Sequence, residues 1–220
     1  MKVSIVLCST IALIDFIGQP VFRQVFIVLF VLFLSACATR PQAPQGQINL
    51  PAQLIKLDAI KKWNINGKLA LREPEKSVSA TLRWQVSDPL FTFRLSNFLG
   101  VTLVDMEQTA EGARLEADDQ VYTDPSATAL LYQTTGWDIP LDQLLSWVKG
   151  VPRAGDDYTL NDNGLLKQLM PGCRQCAGWQ VDYTQYGQVD DVFLPHNIKL
   201  TNTAQPEQWI KIRISQWTLK

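Results

Sequence analysis

The sequence predicts an α+β fold that is mainly β, with about eleven short antiparallel strands and about three α-helices that cover one face of the sheet. Apolar and polar residues alternate over most of the chain after residue 64, which is the pattern of strands with one buried face. The links between these segments have hairpin length, so neighbouring strands are expected to run antiparallel. Because strands twist, a sheet with this many members tends to curl towards a barrel.

Three segments instead place their apolar residues at helical spacing. The first helix is predicted from Ala52 to Trp63. The second, Ser126 to Thr134, follows Asp124-Pro125, which we interpret as a cap and a proline at the first helical position. The third, Leu141 to Lys149, is predicted to end at Gly150.

The strands are predicted from alternation and from the turn residues between them. The clearest alternation runs from Val78 to Val86, where apolar residues occupy every second position. The full set of predicted strands is Asn64 to Arg72, Val78 to Val86, Phe91 to Leu95, Val101 to Glu107, Gly112 to Ala117, Gln120 to Thr123, Tyr158 to Leu160, Leu166 to Met170, Trp179 to Thr184, Asn197 to Thr201 and Trp209 to Trp217.

The N-terminal region has the layout of a secretory signal. Arg23 is followed by about ten apolar residues and then by Leu34-Ser35-Ala36-Cys37. Val25 to Leu34 is too short to cross a bilayer, which needs about 20 apolar residues. Small residues before a cysteine resemble the lipobox of bacterial lipoproteins, in which the thiol receives a diacylglyceryl group and the signal is cut before the cysteine. We therefore expect removal of residues 1–36 and lipidation of Cys37.

Removal of the signal leaves 184 residues, which is the length of one domain. The stretch from Arg40 to Pro51 is rich in Pro, Gln and Asn, so we expect residues 37–51 to be a lipidated N-terminus and flexible tether. The single binding domain is expected at 52–220. The formal net charge is −1 and no basic block occurs, which argues against a nucleic-acid partner. We expect a monomer.

Two cysteines remain in the predicted domain, Cys173 and Cys176. In an exported protein this pair is interpreted first as a small loop disulfide and second as two free thiols. A redox motif would open a helix after a strand, and a zinc site would need two more ligands, yet His196 is the only histidine. We expect no metal and no cofactor.

Catalytic patterns are absent from the sequence as well. One histidine, no Gly-x-Ser-x-Gly elbow and no phosphate-binding loop leave little basis for an enzyme. The acidic pairs Asp118-Asp119, Asp156-Asp157 and Asp190-Asp191 lie beside turn residues and are interpreted as solvated loops. We expect a protein that is not an enzyme.

Apolar residues are the more conspicuous candidates for function. The chain carries seven Trp, and a curved sheet with helices could enclose a cavity suited to an acyl chain or could have a filled core; alternation alone does not distinguish these. In Ser96-Asn97-Phe98-Leu99-Gly100, two large apolar residues lie between turn formers. Phe98 and Leu99 are either tucked into the core or form a protruding tip that touches a membrane or a partner.

Several segments, in order and spacing, resemble the LolB family of outer-membrane lipoprotein receptors. No single one is diagnostic, but together they cover most of the predicted domain. They are Asn64 to Leu71, Ala80 to Trp84, Arg94 to Thr102, Trp137 to Leu141, Leu145 to Pro152, Gly178 to Tyr183, Leu194-Pro195 and Ile210 to Trp217.

This resemblance implies a half-open antiparallel barrel closed by helices around a hydrophobic cavity, similar to the soluble carrier LolA. It implies a protein that accepts acylated lipoproteins from a LolA-like periplasmic carrier and inserts them into the outer membrane. The family's exposed apolar residue corresponds to Leu99, beside Phe98 where the family commonly has Pro. Ala38 is not the Asp that retains lipoproteins at the inner membrane, so an anchored, periplasm-facing location at the outer membrane is expected.

The candidate acyl-binding residues lie on two neighbouring predicted strands. They are Val78, Leu82, Trp84, Phe91, Phe93 and Leu95. Three alternatives remain open from the sequence: a carrier of another lipid or glycolipid, a structural envelope lipoprotein on the same scaffold, and a redox protein that uses its cysteine pair.

Overall fold

A computed structural model describes residues 41–136, 141–176 and 178–220 of the chain. The helices in these ranges are α1 (Leu50–Ala59), α2 (Ala127–Thr135) and α3 (Leu141–Trp147). The strands are β1 (Lys62–Arg72), β2 (Ser77–Ser87), β3 (Leu90–Ser96), β4 (Thr102–Gln108), β5 (Ala113–Ala117), β6 (Gln120–Asp124), β7 (Asp157–Leu160), β8 (Leu166–Met170), β9 (Trp179–Val189), β10 (Val192–Asn202) and β11 (Trp209–Leu219). The predicted signal, Cys37 and residues 137–140 of the LolB-like segments lie outside the described residues.

All eleven strands of the described chain belong to one antiparallel sheet, in the order β6-β5-β4-β3-β2-β1-β11-β10-β9-β8-β7. The first and last strands, β1 and β11, are neighbours at its centre. The edge strands β6 and β7 do not pair with each other, so the sheet stays open. The prediction of a mainly β fold with about eleven antiparallel strands and about three helices is therefore confirmed.

The alternation of the strands places one apolar face inward. In β2, buried residues from Ala80 to Val86 alternate with exposed polar ones. Three tryptophans of the inner face pack together at the centre of the sheet: the Trp63 ring centroid lies 5.3 Å from that of Trp84 and 5.4 Å from that of Trp217. Aromatic pairs at this spacing contribute to stability beyond the area they bury.

The first helix is shorter than predicted, and the assignment of Trp63 to it is wrong. The helix begins after Asn49, whose side chain accepts a hydrogen bond of 3.1 Å from the Ala52 N–H, and it ends at Ala59. Ile60 has an extended backbone. Trp63 lies in β1, where it shares the inward face with Ile65. Its position fits the helical spacing of the preceding apolar residues, but it belongs to the strand that follows the helix.

The cap of the second helix also differs from the prediction. Ser126 is the N-cap, and its hydroxyl accepts a hydrogen bond of 3.4 Å from the Ala129 N–H. Asp124 instead ends β6, and its carboxylate accepts a hydrogen bond of 2.9 Å from the Ser126 N–H. Pro125 therefore precedes the cap rather than following it.

Part of the predicted tether is bound to the domain. The Gln188 N–H donates to the Gln42 carbonyl at 3.0 Å, and the Asn163 side chain donates to the Gly46 carbonyl at 3.0 Å. The Ile48 N–H donates to the Asn163 carbonyl at 2.8 Å. A composition rich in Gln, Asn and Pro indicates few apolar side chains, but it does not prevent main-chain pairing with a neighbouring loop. Ordered contacts thus begin upstream of residue 52.

None of the helices in the described ranges is long and apolar enough to cross a membrane.

Candidate functional site

The loop between β3 and β4 is a tight turn in which four N–H groups are hydrogen-bonded within the turn itself. The Asn97 side-chain oxygen accepts hydrogen bonds from the Leu99 N–H at 2.9 Å and the Val101 N–H at 3.0 Å. The Asn97 N–H donates to the Val101 carbonyl at 2.9 Å, and the Gly100 N–H donates to the Asn97 carbonyl at 3.0 Å. Gly100 has φ +85°, a left-handed conformation that glycine adopts without strain. These hydrogen bonds within the turn stabilise its conformation in water.

Because the turn closes on itself, its apolar side chains point away from the core. Phe98 is 93% exposed, Leu99 is 73% exposed and Val101 is 58% exposed. We call these three residues the apolar tip. Large apolar side chains clustered at a protrusion are uncommon on a soluble surface and indicate a contact site. Of the two arrangements left open by the sequence, burial of Phe98 and Leu99 is excluded.

A cavity of about 640 Å³ lies between the sheet and the last two helices. Its apolar wall comes from the inner face of the first three strands, from α2 and from α3. The apolar wall residues are Trp63, Val86, Leu90, Phe91, Ala127, Leu141 and Leu145. The volume is in the range of ligand-binding pockets, and the wall combines apolar residues with a similar number of polar and charged ones.

Charged side chains also line this cavity, including Asp58, Lys61, Asp88, Lys149 and Arg153. The Lys149 ammonium is buried and donates to the carbonyl oxygens of Leu57 and Ile60 at 3.0 and 2.9 Å. Burial lowers the pKa of Lys149, and the nearby Lys61 charge lowers it further. The same cavity thus offers an apolar wall and polar groups that tie the end of α1 to the turn after α3.

The structure separates the predicted acyl-binding residues into three groups. Phe91 lies in the cavity wall. Leu82 and Trp84 are fully buried within the core. The remaining three are half-buried on the same inner face of the sheet; they are Val78, Phe93 and Leu95. All six residues lie on the inner face of the sheet, and one of them, Phe91, lines this cavity.

Sequence reasoning missed several wall residues. Val86 pairs directly with Phe91 across β2 and β3, and the same alternation that selected Trp84 includes Val86. Leu141 and Leu145 belong to the third predicted helix, and both are buried. No local sequence pattern shows that these helix residues face the part of the sheet that contains Val86 and Phe91. The cavity wall could therefore be identified only from the packing of distant segments.

Two buried aromatic N–H groups in this core differ in their hydrogen bonding. The Trp217 indole N–H donates to the Pro195 carbonyl at 3.0 Å. The Trp84 indole N–H is buried and has no hydrogen-bond partner among the residues that the structure describes. A buried donor without a partner contributes less to stability than one that is hydrogen-bonded.

The acidic pairs and the histidine considered in the sequence analysis either form hydrogen bonds within the fold or lie in turns. The Asp156 carboxylate accepts hydrogen bonds from the Arg153 and Gly172 N–H groups at 2.8 and 2.9 Å and from the Trp147 indole at 3.2 Å. Asp118-Asp119 and Asp190 lie in tight turns with left-handed φ angles. His196 is buried, with Nδ1 2.8 Å from the Ile214 carbonyl oxygen, and burial lowers its pKa.

Cys173 and Cys176 form a disulfide across the single 3-10 turn of the described chain, Arg174–Cys176, between β8 and β9. Their Cα atoms are 5.2 Å apart. Over the residues that the structure describes, no group of three or more His, Cys, Asp or Glu side chains is arranged to hold a metal ion.

Comparison with known proteins places these features in a family. A protein-family model described as "Outer membrane lipoprotein LolB" matches residues 61–217. A relative from Vibrio cholerae serotype O1, named "Outer-membrane lipoprotein LolB", is 34% identical over 194 residues, covering 86% of this chain and 92% of the relative. A relative of the same name from Tolumonas auensis is 34% identical over 199 residues, covering 90% of this chain and 97% of the relative.

Solved structures share the fold at low sequence identity. A domain of an outer membrane lipoprotein-sorting protein from Vibrio parahaemolyticus matches with a TM-score of 0.50 and 10% identity, covering 78% of this chain and 91% of that chain. A DUF1329 family protein from Desulfovibrio piger matches with a TM-score of 0.50 and 7% identity. These likenesses concern the arrangement of the sheet and helices alone.

Proposed function

Because the chain belongs to the LolB family of outer membrane lipoproteins, we propose that it accepts acylated lipoproteins from a LolA-like periplasmic carrier and inserts them into the outer membrane. The protein is held at the periplasmic side of that membrane by acyl groups on Cys37. Two or more acyl chains give a stable anchor, since each buried methylene contributes about 0.8 kcal/mol.

The observation that carries this proposal is the apolar tip. Phe98 and Leu99 expose large apolar side chains on a turn in which the N–H groups of Asn97, Leu99, Gly100 and Val101 are already hydrogen-bonded, so insertion into lipid leaves these four donors with partners. Unpaired main-chain groups are the principal obstacle to placing a loop in a bilayer. The turn is thus suited to dip into the hydrocarbon boundary of a membrane.

The cavity is connected to this tip by a single strand. β3 carries Phe91 in the cavity wall, then Phe93 and Leu95 half-buried on the same face, and it ends next to the apolar tip. An acyl chain held against Phe91 therefore has a continuous apolar path along β3 to the membrane. Val78, Leu82 and Trp84 extend this face on the adjoining β2.

The direction of transfer follows from relative affinity. Transfer by this route makes and breaks no covalent bond, so the cargo moves downhill from the carrier to this cavity and from this cavity to the bilayer. A bilayer removes the whole acyl chain from water, whereas the cavity also presents charged side chains such as Asp58 and Arg153. The cavity accordingly binds the acyl chain more weakly than the bilayer does, and it releases its cargo to lipid.

The test is a transfer experiment with the chain from Ala38 onward, which lacks the acyl anchor. This protein is mixed with a complex of a LolA-like carrier and an acylated lipoprotein, and a pull-down shows which protein holds the lipoprotein. We expect the lipoprotein to move to the added chain. If it stays on the carrier while the added chain is folded, the proposal is wrong.

Lipid extraction of the purified protein addresses the remaining alternatives. A free lipid or glycolipid that co-purifies in stoichiometric amount would favour a carrier of that lipid. A structural lipoprotein with a filled core would take up no fluorescent hydrophobic probe. Replacement of Cys173 and Cys176 by Ser is expected to leave cargo transfer unchanged, in contrast to the expectation for a redox protein.

A further inference from the structure

The outer face of the sheet carries a row of basic side chains that the proposed transfer does not use. They lie on five neighbouring strands, from β3 through β2, β1 and β11 to β10, and point away from the core. The basic band consists of Lys68, Arg83, Arg94, Lys199, Lys211 and Arg213. All are exposed except Lys199, which is half-buried.

These cations face one another directly across the strands. Lys68 pairs in register with Arg213, and Arg83 pairs in register with Arg94. Lys199 pairs in register with Lys211 on β11 and, on its other side, with Asp182 on β9. Like charges directly opposite on a sheet are destabilising, because their side chains leave the backbone about 5 Å apart. Three such pairs in one band favour a role other than stabilising the fold.

Most of the band has no acidic partner. Arg94 forms an ion pair with Asp105, and Lys199 lies 5.7 Å from the centroid of the Trp209 ring. The remaining four form no ion pair with any residue that the structure describes; these are Lys68, Arg83, Lys211 and Arg213. The positive charge of the band is therefore available to an external anion.

The band begins at the base of the apolar tip. Arg94 lies on β3 two residues before Ser96, where the turn of the tip starts. Ser96 is in register with Thr81, and Thr81 is in register with Lys68, so Lys68 lies level with the base of the tip. A surface that receives the apolar tip is thus within reach of the first members of the band.

We propose that the basic band binds the anionic phospholipid headgroups of the membrane into which the apolar tip inserts. The inference rests on the proposed function in one respect, which is that the tip contacts a membrane. Lys and Arg on an open, solvated surface attract phosphate groups without requiring a defined partner shape. Most outward residues of β1 and β2 around them are small or polar, for example Thr81, Gln85 and Asn66, and the large aromatic side chain beside the band, Trp209, lies under the Lys199 ammonium.

Vesicle binding without cargo tests the band separately from cargo transfer. Residues 41–220 form one compact unit with its own core, so this unit is expected to fold without the acyl anchor, and cooperative thermal unfolding checks that it does. The unit is sedimented with vesicles of phosphatidylcholine alone and with vesicles that also contain phosphatidylglycerol. We expect tighter binding to the second set and a loss of this difference at high salt.

The decisive variant neutralises one facing pair, Lys68→Gln with Arg213→Gln. Each cation near an anionic surface raises binding about fivefold, so we expect more than about tenfold weaker binding to the anionic vesicles. The variant removes a like-charge pair, so its stability should not fall. Its binding to phosphatidylcholine alone should equal that of the unchanged protein, because the apolar tip is intact.

The matched control removes two exposed cations elsewhere, Lys167→Gln with Lys220→Gln, and it should keep most of the binding to anionic vesicles. Equal loss in both variants would show a net-charge effect and overturn the proposal. Unchanged binding by Lys68→Gln with Arg213→Gln, as expected if the band binds an acidic protein, would overturn it too. Uptake of a lipoprotein from the carrier should be unchanged in the Lys68→Gln, Arg213→Gln variant. Failure of the proposed function would therefore appear in the uptake assay and not in the vesicle-binding assay.

Discussion

The Lys149 ammonium donates a hydrogen bond of 2.9 Å to the carbonyl oxygen of Ile60, the extended residue that directly follows α1. A second bond of 3.0 Å goes to the Leu57 carbonyl. Carbonyl groups at the end of a helix lack partners within the helix, and a cation there also interacts favourably with the helix dipole. One buried lysine therefore fixes the first helix to the turn after α3, beside the cavity.

Replacement of Lys149 by Met tests this connection. The change leaves the Leu57 and Ile60 carbonyls without these donors, so we expect the free energy of unfolding to fall by about 2 kcal/mol. Urea unfolding measures the effect. The exposed Lys167 offers a control, because Lys167→Met should change stability by less than about 0.5 kcal/mol. Similar small effects for both lysines would mean that Lys149 does not fix the helix.

Substitution in the apolar tip should separate delivery from capture. Leu99→Glu places a charge where the tip enters lipid, so we expect slower insertion of cargo into vesicles with unchanged uptake from the carrier. Ile55, on α1, is 74% exposed and is therefore matched to Leu99 at 73%. Ile55→Glu should leave both steps unchanged. Equal loss of uptake and insertion in Leu99→Glu would refute the assignment of the tip.

The two tryptophans that differ in hydrogen bonding should differ in their tolerance of phenylalanine. Trp217→Phe leaves the buried Pro195 carbonyl without its donor, whereas Trp84→Phe removes an N–H that has no partner in the described part of the chain. The loss of ring volume is the same in both variants. We expect Trp217→Phe to cost about 1–3 kcal/mol more in urea unfolding, and equal costs would contradict this reasoning.

Stability should fall at mildly acidic pH through His196. Burial lowers its pKa in the folded protein below the ordinary value of 6.5, and the bond to Ile214 opposes this only in part. The unfolded chain therefore binds the proton more readily, so the contribution of His196 is present above pH 6.5 and is lost as pH falls towards the lowered pKa.

The measurement is the free energy of unfolding as a function of pH for the unchanged protein and for His196→Asn. The Asn amide can still donate to the Ile214 carbonyl but does not titrate, so the variant should lose less stability between about pH 7 and pH 5. Identical pH profiles would assign the acid sensitivity to other groups.

Most of the sheet could be predicted because alternation and turn residues are local signals. All eleven strands of the described chain were predicted, and the largest differences occur in β9 and β10, which are longer than predicted. Gln185 in β9 has a left-handed φ of 62°, and in β10 Pro195, which pairs in register with Tyr186, interrupts the alternation. These irregularities hide, at the level of the sequence, the parts of β9 and β10 that lie next to their connecting turn. These parts do pair with each other.

The site was less predictable because it depends on contacts between distant segments. Whether Phe98 and Leu99 point outward is decided by the Asn97 side chain, which holds two N–H groups of the same turn, and alternation contains no such information. The cavity wall combines β3 with α3, about fifty residues later in the chain. The resemblance to LolB indicated the tip and the existence of a cavity but not its wall.

The pairing of β1 with β11 has a consequence for how the chain reaches this structure. Ten registered residue pairs join the first strand to the last, so the central seam of the sheet forms only after Trp209–Leu219 is available. The hairpins on either side can form early because their contacts are local, whereas the seam closes the longest loop and is expected to form late. Until then β1 is an unprotected edge that another chain can pair with. A chain cut short before residue 209 would lose the middle of its sheet rather than its margin.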